Sequence, residues 1–103
     1  MQDSIEAKLI KLSERLSEIE KQLIEESSTL NQDDLISLNK EFSHIQPIVD
    51  LYSKYLKVLD ENTQAISLSK SDENEIKELA QIEVEETENS MNEILGELKL
   101  MLL

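Results

Sequence analysis

Residues 35–66, LISLNKEFSHIQPIVDLYSKYLKVLDENTQAI, carry a long apolar repeat. Apolar residues recur there at alternating steps of three and four, and Thr63 is the one polar residue that falls on the repeat. This spacing aligns the side chains along one face of an α-helix and is typical of helices that pack with coiled-coil geometry. The stripe consists of Leu35, Leu38, Phe42, Ile45, Val49, Tyr52, Leu56, Leu59, Thr63 and Ile66. The stretch therefore predicts one long amphipathic helix.

A proline at position 47 lies inside this repeat. Proline removes one backbone hydrogen bond from a helix interior and clashes with the preceding turn, at about 3 kcal/mol. The repeat nevertheless keeps its phase from Ile45 to Val49, whereas a loop would normally reset it. We therefore predict a kinked helix that resumes in register after Pro47. A true break with a coincidental phase is the alternative.

Similar stripes lie on both sides of the long helix. The stripe before it consists of Ile5, Leu9, Leu12, Leu16, Ile19 and Leu23. The stripe after it consists of Ile76, Ala80, Val84, Thr87, Met91, Ile94, Leu98 and Met101. Asn31 is a suitable N-cap for the second helix, and Ser71 or Asp72 for the third. The sequence predicts helices over about residues 4–26, 32–67 and 73–102.

These helices predict an all-α fold, an elongated antiparallel three-helix bundle or coiled coil with a long kinked central helix. Short connections make neighbouring helices antiparallel. Hairpin pairing then places Leu23 beside Leu35 and Ile76 beside Ile66. The central helix also carries a second apolar row, as a helix with two partners should. This row consists of Ile48, Leu51, Tyr55 and Val58.

The composition excludes several classes of protein. The chain has 103 residues, no cysteine, one glycine, one proline and a net charge of −13. Lack of cysteine excludes a disulfide scaffold and a thiol nucleophile, and scarcity of turn residues disfavours β folds. No signal peptide or membrane-spanning segment is visible, and the acidity disfavours direct binding of nucleic acid.

No catalytic, cofactor-binding or metal-binding residue is predicted, and no cofactor is implied. Glu41 and His44 match half of a di-iron motif, but that site needs two such pairs and the chain has one histidine. Nucleophilic catalysis would need His44 oriented in a pocket, which thin helical bundles seldom build. For Tyr52 and Tyr55, packing in the core is a better interpretation than stacking on nucleic-acid bases.

Negative charge is concentrated toward the C-terminus, where residues 71–103 carry a net −8. The third helix contains an acidic run of Glu83, Glu85, Glu86 and Glu88. Like charges at this spacing repel slightly and do not help the helix to form. The run is therefore either a solvated outer face or a docking face for a basic partner.

The closing run of residues 97–103, ELKLMLL, is apolar and has no polar tail. One helix face cannot bury all of these leucines. We therefore expect the 103 residues to form one N-terminal helical domain of a larger protein, whose remaining domains follow this run.

The chain resembles the N-terminal helical domain of bacterial class 1 peptide chain release factors, and the type that reads UAG and UAA more than its paralogue. The paralogous type usually carries tryptophan in this domain, and this chain has none. The likeness covers nearly the whole chain in order and spacing. It rests on Ile5-Glu6-Ala7-Lys8-Leu9 with Leu12, Arg15 and Leu16; Leu38-Asn39-Lys40-Glu41-Phe42; Gln46-Pro47-Ile48-Val49-Asp50; Tyr52 and Tyr55; Glu75-Ile76-Lys77-Glu78-Leu79-Ala80; and residues 97–103.

This resemblance implies a non-catalytic, cytoplasmic appendage domain of a translation termination factor. In the family, the domain reaches the base of the ribosomal stalk near the GTPase-associated centre and helps to contact the class 2 release factor. The stop-codon loop and the Gly-Gly-Gln loop of the family are absent from these residues, so no decoding or hydrolytic residue is carried over.

Two other classes of protein stay open. The stripes alone equally support a generic coiled-coil scaffold or self-association module, and an apolar tail makes a weak homodimer of the isolated chain plausible. The helical arm of a seryl-tRNA synthetase also opens a chain with long helices. That arm holds tRNA and should be basic, whereas this chain carries −13.

Overall fold

The described part of the chain, residues 3–103 of a computed structural model, is all-α and contains no strand. Helix α1 spans Asp3–Glu25, α2 spans Gln32–Leu68 and α3 spans Asn74–Met101. Each bound lies within one residue of the prediction, which confirms the three-helix fold class. By contacts the chain divides into unit 1, Met1–Asp50, and unit 2, Leu51–Leu103. Helix α2 runs through the boundary.

The predicted cap of α2 is present, whereas that of α3 is not. Asn31 accepts a hydrogen bond from the backbone N–H of Asp34 at its Oδ1, 2.8 Å away. At the start of α3 the N-cap is Glu73, with an extended backbone and no side-chain capping bond. The Ser71 hydroxyl instead accepts a hydrogen bond from the backbone N–H of Glu73. Glu73 precedes the first residue of α3, so this bond does not cap the helix. The prediction of Ser71 or Asp72 as the cap was therefore wrong.

Unit 1 is a helical hairpin whose core follows the predicted stripes. Leu9 and Ile19 on α1 are fully buried, and Leu16 is 7% exposed. Leu16 and Ile19 pack with Ile45 of α2. Partly buried neighbours complete this core: Leu12, Leu23, Leu38, Phe42 and Val49. Burial of such side chains stabilises the hairpin by roughly 1.5–3 kcal/mol each.

Helix α2 is continuous through Pro47. The chain therefore resumes in register after the proline, and the alternative of a true break is wrong. Pro47 and Ser43 are both exposed. Because both residues are exposed, water can supply the hydrogen bond that Pro47 cannot donate to the Ser43 carbonyl.

In unit 2 the buried row of α2 is not the predicted stripe. Leu56, Leu59 and Ile66 are 44%, 37% and 39% exposed, and Thr63 is exposed as well. The second apolar row is covered instead, and it continues toward the end of α2. Its buried or half-buried members are Leu51, Tyr55, Val58, Asn62 and Ala65. Tyr52 is the last residue of the predicted stripe that is buried.

The physical reason lies in what each row offers to α3. The row that is covered presents Tyr55, which buries more area than leucine, and the small Ala65, which permits close approach. It also presents Asn62, which finds a polar partner on α3. On α3 the predicted stripe is buried from Ala80 to Leu98, whereas its two ends, Ile76 and Met101, are each 37% exposed.

The pairing of α2 with α3 also differs from the simple hairpin. If Ile76 lay beside Ile66, Asn62 would face residue 80. Asn62 instead binds Thr87, seven residues further along α3. Residues 74–79 at the start of α3 are accordingly all exposed.

Candidate functional site

A bidentate ion pair joins α1 to α2 within unit 1. Arg15 donates from Nε to Oε2 of Glu41 at 2.6 Å and from Nη2 to Oε1 at 2.7 Å. Its Nη1 also donates to Oε2 of Glu18 at 3.3 Å. Two parallel bonds between a guanidinium and a carboxylate fix direction as well as distance. The side chains of Arg15 and Glu41 are each 37% exposed, so solvent screens the pair in part.

The electrostatics of this pair favour both charged forms. Hydrogen bonds from Arg15 hold the pKa of Glu41 below its usual range. The same bonds raise the pKa of Arg15. A carboxyl with a lowered pKa stays ionised near neutral pH and is a poor general acid. The arrangement therefore positions two helices and is not set up for proton transfer.

The partial di-iron motif does not form a metal centre. The Glu41 carboxylate binds Arg15, and His44 is exposed. Among residues 3–103, no group of three or more histidine and carboxylate side chains is arranged to hold a metal ion.

A small cavity lies beside the ion pair, between the end of α1 and the start of α2. It has a volume of about 210 Å³ and is lined by Arg15, Gln22, Leu30, Asp34, Ser37 and Leu38. The Oε1 atom of Gln22 is buried and has no hydrogen-bond partner. A cavity of this size and polarity can hold water that donates to such an oxygen. No periodic or motif signal in the sequence indicated it.

A buried polar pair connects α2 to α3 in unit 2. Asn62 and Thr87 are 7% and 6% exposed. The Nδ2 of Asn62 donates to Oγ1 of Thr87 at 2.9 Å, and that hydroxyl donates to the Glu83 carbonyl at 2.8 Å. Thr87 belongs to the predicted α3 stripe, whereas Asn62 lies on neither predicted row of α2. Buried polar groups need partners, so this bond favours a single register of the two helices.

The two tyrosines contribute to the core. Tyr52 is 7% exposed and Tyr55 is 4% exposed. The prediction that they pack in the core is confirmed. Neither ring presents a face for stacking on a base.

The acidic run is displayed to solvent. Glu83, Glu85, Glu86 and Glu88 are all exposed. Within residues 3–103 their carboxylates make no ion pair and no hydrogen bond. Exposure fits both interpretations of the run, a solvated face or a docking face. No helix within residues 3–103 contains an uninterrupted apolar stretch of the length that a membrane span requires.

The family model of the PCRF domain matches residues 12–103, which include most of α1 and all of α2 and α3. The chain therefore belongs to the PCRF domain family.

The chain is also similar to peptide chain release factor 1 of Chloroherpeton thalassium strain ATCC 35110 / GB-78. The two are 38% identical over 93 residues, which cover 89% of this chain and 26% of that release factor. The chain thus spans about a quarter of the length of the curated relative it matches. No solved structure matches it.

Proposed function

We propose that residues 1–103 form the N-terminal helical domain of a longer class 1 peptide chain release factor, a cytoplasmic translation termination factor. The family match over residues 12–103 carries this proposal. The relative's name, release factor 1, and the fact that the match covers only 26% of its length support a domain within a larger factor.

In this proposal the domain does not catalyse peptide release itself. It positions the factor on the ribosome, near the base of the stalk, and contributes to contact with the class 2 release factor. The bidentate bonds of Arg15 and Glu41 fix α1 on α2, so the proposal gives this pair a structural role within unit 1 and no catalytic one.

A deletion in the longer protein that contains this chain tests the proposal. The full-length factor and a version without residues 1–103 are compared for peptidyl-tRNA hydrolysis on ribosomes stalled at UAG or UAA. We expect hydrolysis to persist at saturating factor, whereas stimulation of turnover by the class 2 factor is lost. Peptide release by residues 1–103 alone would contradict a positioning role. A reading frame without a Gly-Gly-Gln motif would contradict the release factor assignment.

Self-association is a second candidate function, which the exposed stripe of Leu56, Leu59 and Ile66 favours. Such a stripe at coiled-coil spacing can pair with a second copy of the chain. Analytical ultracentrifugation of the 103-residue chain separates the two proposals. A stable dimer at low micromolar concentration that Leu56→Ser and Leu59→Ser abolish would favour the scaffold. A monomer, or a dimer only at much higher concentration, favours the release factor domain.

A further inference from the structure

The outer face of α3 carries large apolar side chains near its start. Leu79 is 68% exposed, Ile82 is 56% exposed and Ile76 is 37% exposed. Residues three and four apart are neighbours on a helix surface. These three side chains therefore form one continuous apolar group on α3.

Glutamates surround this group. Leu79 and Ile82 are neighbours on the helix, and Ile76 is a neighbour of Leu79. Every other residue three or four positions from Leu79 or Ile82 is an exposed glutamate. These glutamates are Glu75 and Glu83 beside Leu79, and Glu78, Glu85 and Glu86 beside Ile82. We call the three apolar residues and these five glutamates the α3 patch.

Neither half of the α3 patch helps the chain to fold. Within residues 3–103 the five carboxylates make no ion pair or side-chain hydrogen bond, and their mutual repulsion weakens the helix. The apolar group stays in water instead of joining the core around Ala80 and Thr87. An apolar centre with a rim of one charge is typical of a protein interaction surface.

We propose that the α3 patch binds a basic amphipathic helical segment of a partner protein. Apolar side chains of that segment cover Leu79 and Ile82, and its lysines and arginines pair with the surrounding carboxylates. Phosphates of nucleic acid and anionic lipid head groups would be repelled by the same carboxylates. A second copy of this chain would bring another acidic surface, since the net charge is −13. The inference rests on α3 alone and not on the proposed role in termination.

A labelled synthetic peptide with leucines at alternating steps of three and four and lysines elsewhere is the probe. Its binding to the 103-residue chain is measured by fluorescence anisotropy. The double variant Leu79→Ser/Ile82→Ser removes the apolar centre, and Glu83→Gln/Glu85→Gln/Glu86→Gln removes three charges. We expect each variant to bind at least about tenfold more weakly. We also expect wild-type affinity to fall as salt rises, because exposed charges are screened.

Matched controls come from α1. Ile24→Ser changes a side chain that is 79% exposed, and Glu14→Gln/Glu20→Gln/Glu25→Gln removes three exposed charges outside the patch. Both controls should bind the peptide within about twofold of wild type, and circular dichroism should show unchanged helicity for all variants.

The proposal is overturned if the controls lose as much affinity as the patch variants, or if the patch variants lose none. Tighter binding of an RNA oligonucleotide or of phosphatidylserine vesicles than of the peptide would also overturn it. So would a dimer of the wild-type chain that Leu79→Ser/Ile82→Ser dissociates, because the patch would then bind a second copy.

Discussion

At the scale of single residues, the Arg15 to Glu41 ion pair couples the stability of the chain to pH. The folded state lowers the pKa of Glu41, because Arg15 favours the carboxylate. At pH values above the ordinary glutamate pKa of about 4.3, the Glu41 carboxylate therefore adds to the free energy of unfolding. This stabilisation is lost as the pH falls through the lowered pKa of Glu41 in the folded state.

We expect Glu41→Gln to destabilise the chain at pH 7 by less than about 1 kcal/mol, since both side chains are over a third exposed and solvent screens them. The difference from wild type should shrink below about pH 4.3. Urea denaturation at several pH values measures it. Glu20→Gln, which removes an exposed carboxylate without an ion pair, is the control and should show no such trend. A difference in the free energy of unfolding between wild type and Glu41→Gln that is the same at all pH values would contradict a stabilising role for the ionised Glu41 carboxylate.

The buried bond between Asn62 and Thr87 gives a second prediction at this scale. Thr87→Val keeps the side-chain shape but leaves the buried amide of Asn62 without its acceptor, which costs about 1–3 kcal/mol. The exposed Thr63 is a matched control, because its hydroxyl also donates to a carbonyl one turn earlier, that of Leu59, but accepts no bond from a buried side chain. Denaturant midpoints should fall for Thr87→Val and change little for Thr63→Val. Adding Asn62→Leu to Thr87→Val should restore part of the loss, because both polar groups are then gone.

At the scale of a helix, Pro47 is the least favourable residue of α2. Pro47→Ala supplies the missing N–H to the Ser43 carbonyl without changing the continuous helix. We expect Pro47→Ala to raise the free energy of unfolding by up to about 3 kcal/mol. The gain is partly offset because the unfolded chain has more conformational freedom without the proline. Thermal unfolding measures the effect, and Gln46→Ala at the neighbouring exposed position should change Tm much less. A lower Tm for Pro47→Ala would mean that packing requires the proline.

The exposure of the predicted α2 stripe after Tyr52 can be tested with two leucines of unit 2. Leu98 on α3 is fully buried, whereas Leu56 on α2 is 44% exposed. Leu98→Ala should destabilise the chain by about 2–5 kcal/mol. Leu56→Ala should cost less than about 1 kcal/mol, because alanine also favours the helix. Equal losses of stability in chemical denaturation would mean that Leu56 is packed in the core and would contradict the exposure of the predicted α2 stripe.

At the scale of the whole molecule, the net charge of −13 opposes folding through repulsion among carboxylates. The effect is greatest in residues 71–103, which carry −8. Salt screens exposed charges, so we expect Tm to rise between about 0.01 M and 0.2 M NaCl. Neutralising Glu83, Glu85 and Glu86 with glutamine should raise Tm at low salt and reduce this dependence. A Tm that falls with added salt would contradict net repulsion.

The sequence by itself determined the number, order and bounds of the helices and the N-cap at Asn31, whereas at Pro47 it favoured a helix that resumes in register and left a true break open. These features depend on apolar periodicity and capping residues, and both are properties of residues that are close together in the sequence. It also determined the buried face of α1, because that helix has one main apolar stripe.

Only the tertiary structure decided which row of α2 is buried after Tyr52. Leu56 and Tyr55 lie on adjacent apolar rows, and periodicity cannot rank two rows on one helix. The choice depends on the partner's surface, where Thr87 satisfies Asn62 and Ala65 permits close approach. The bonds between Arg15 and Glu41 and the cavity at Gln22 likewise exist only once two distant segments meet, so no local pattern records them.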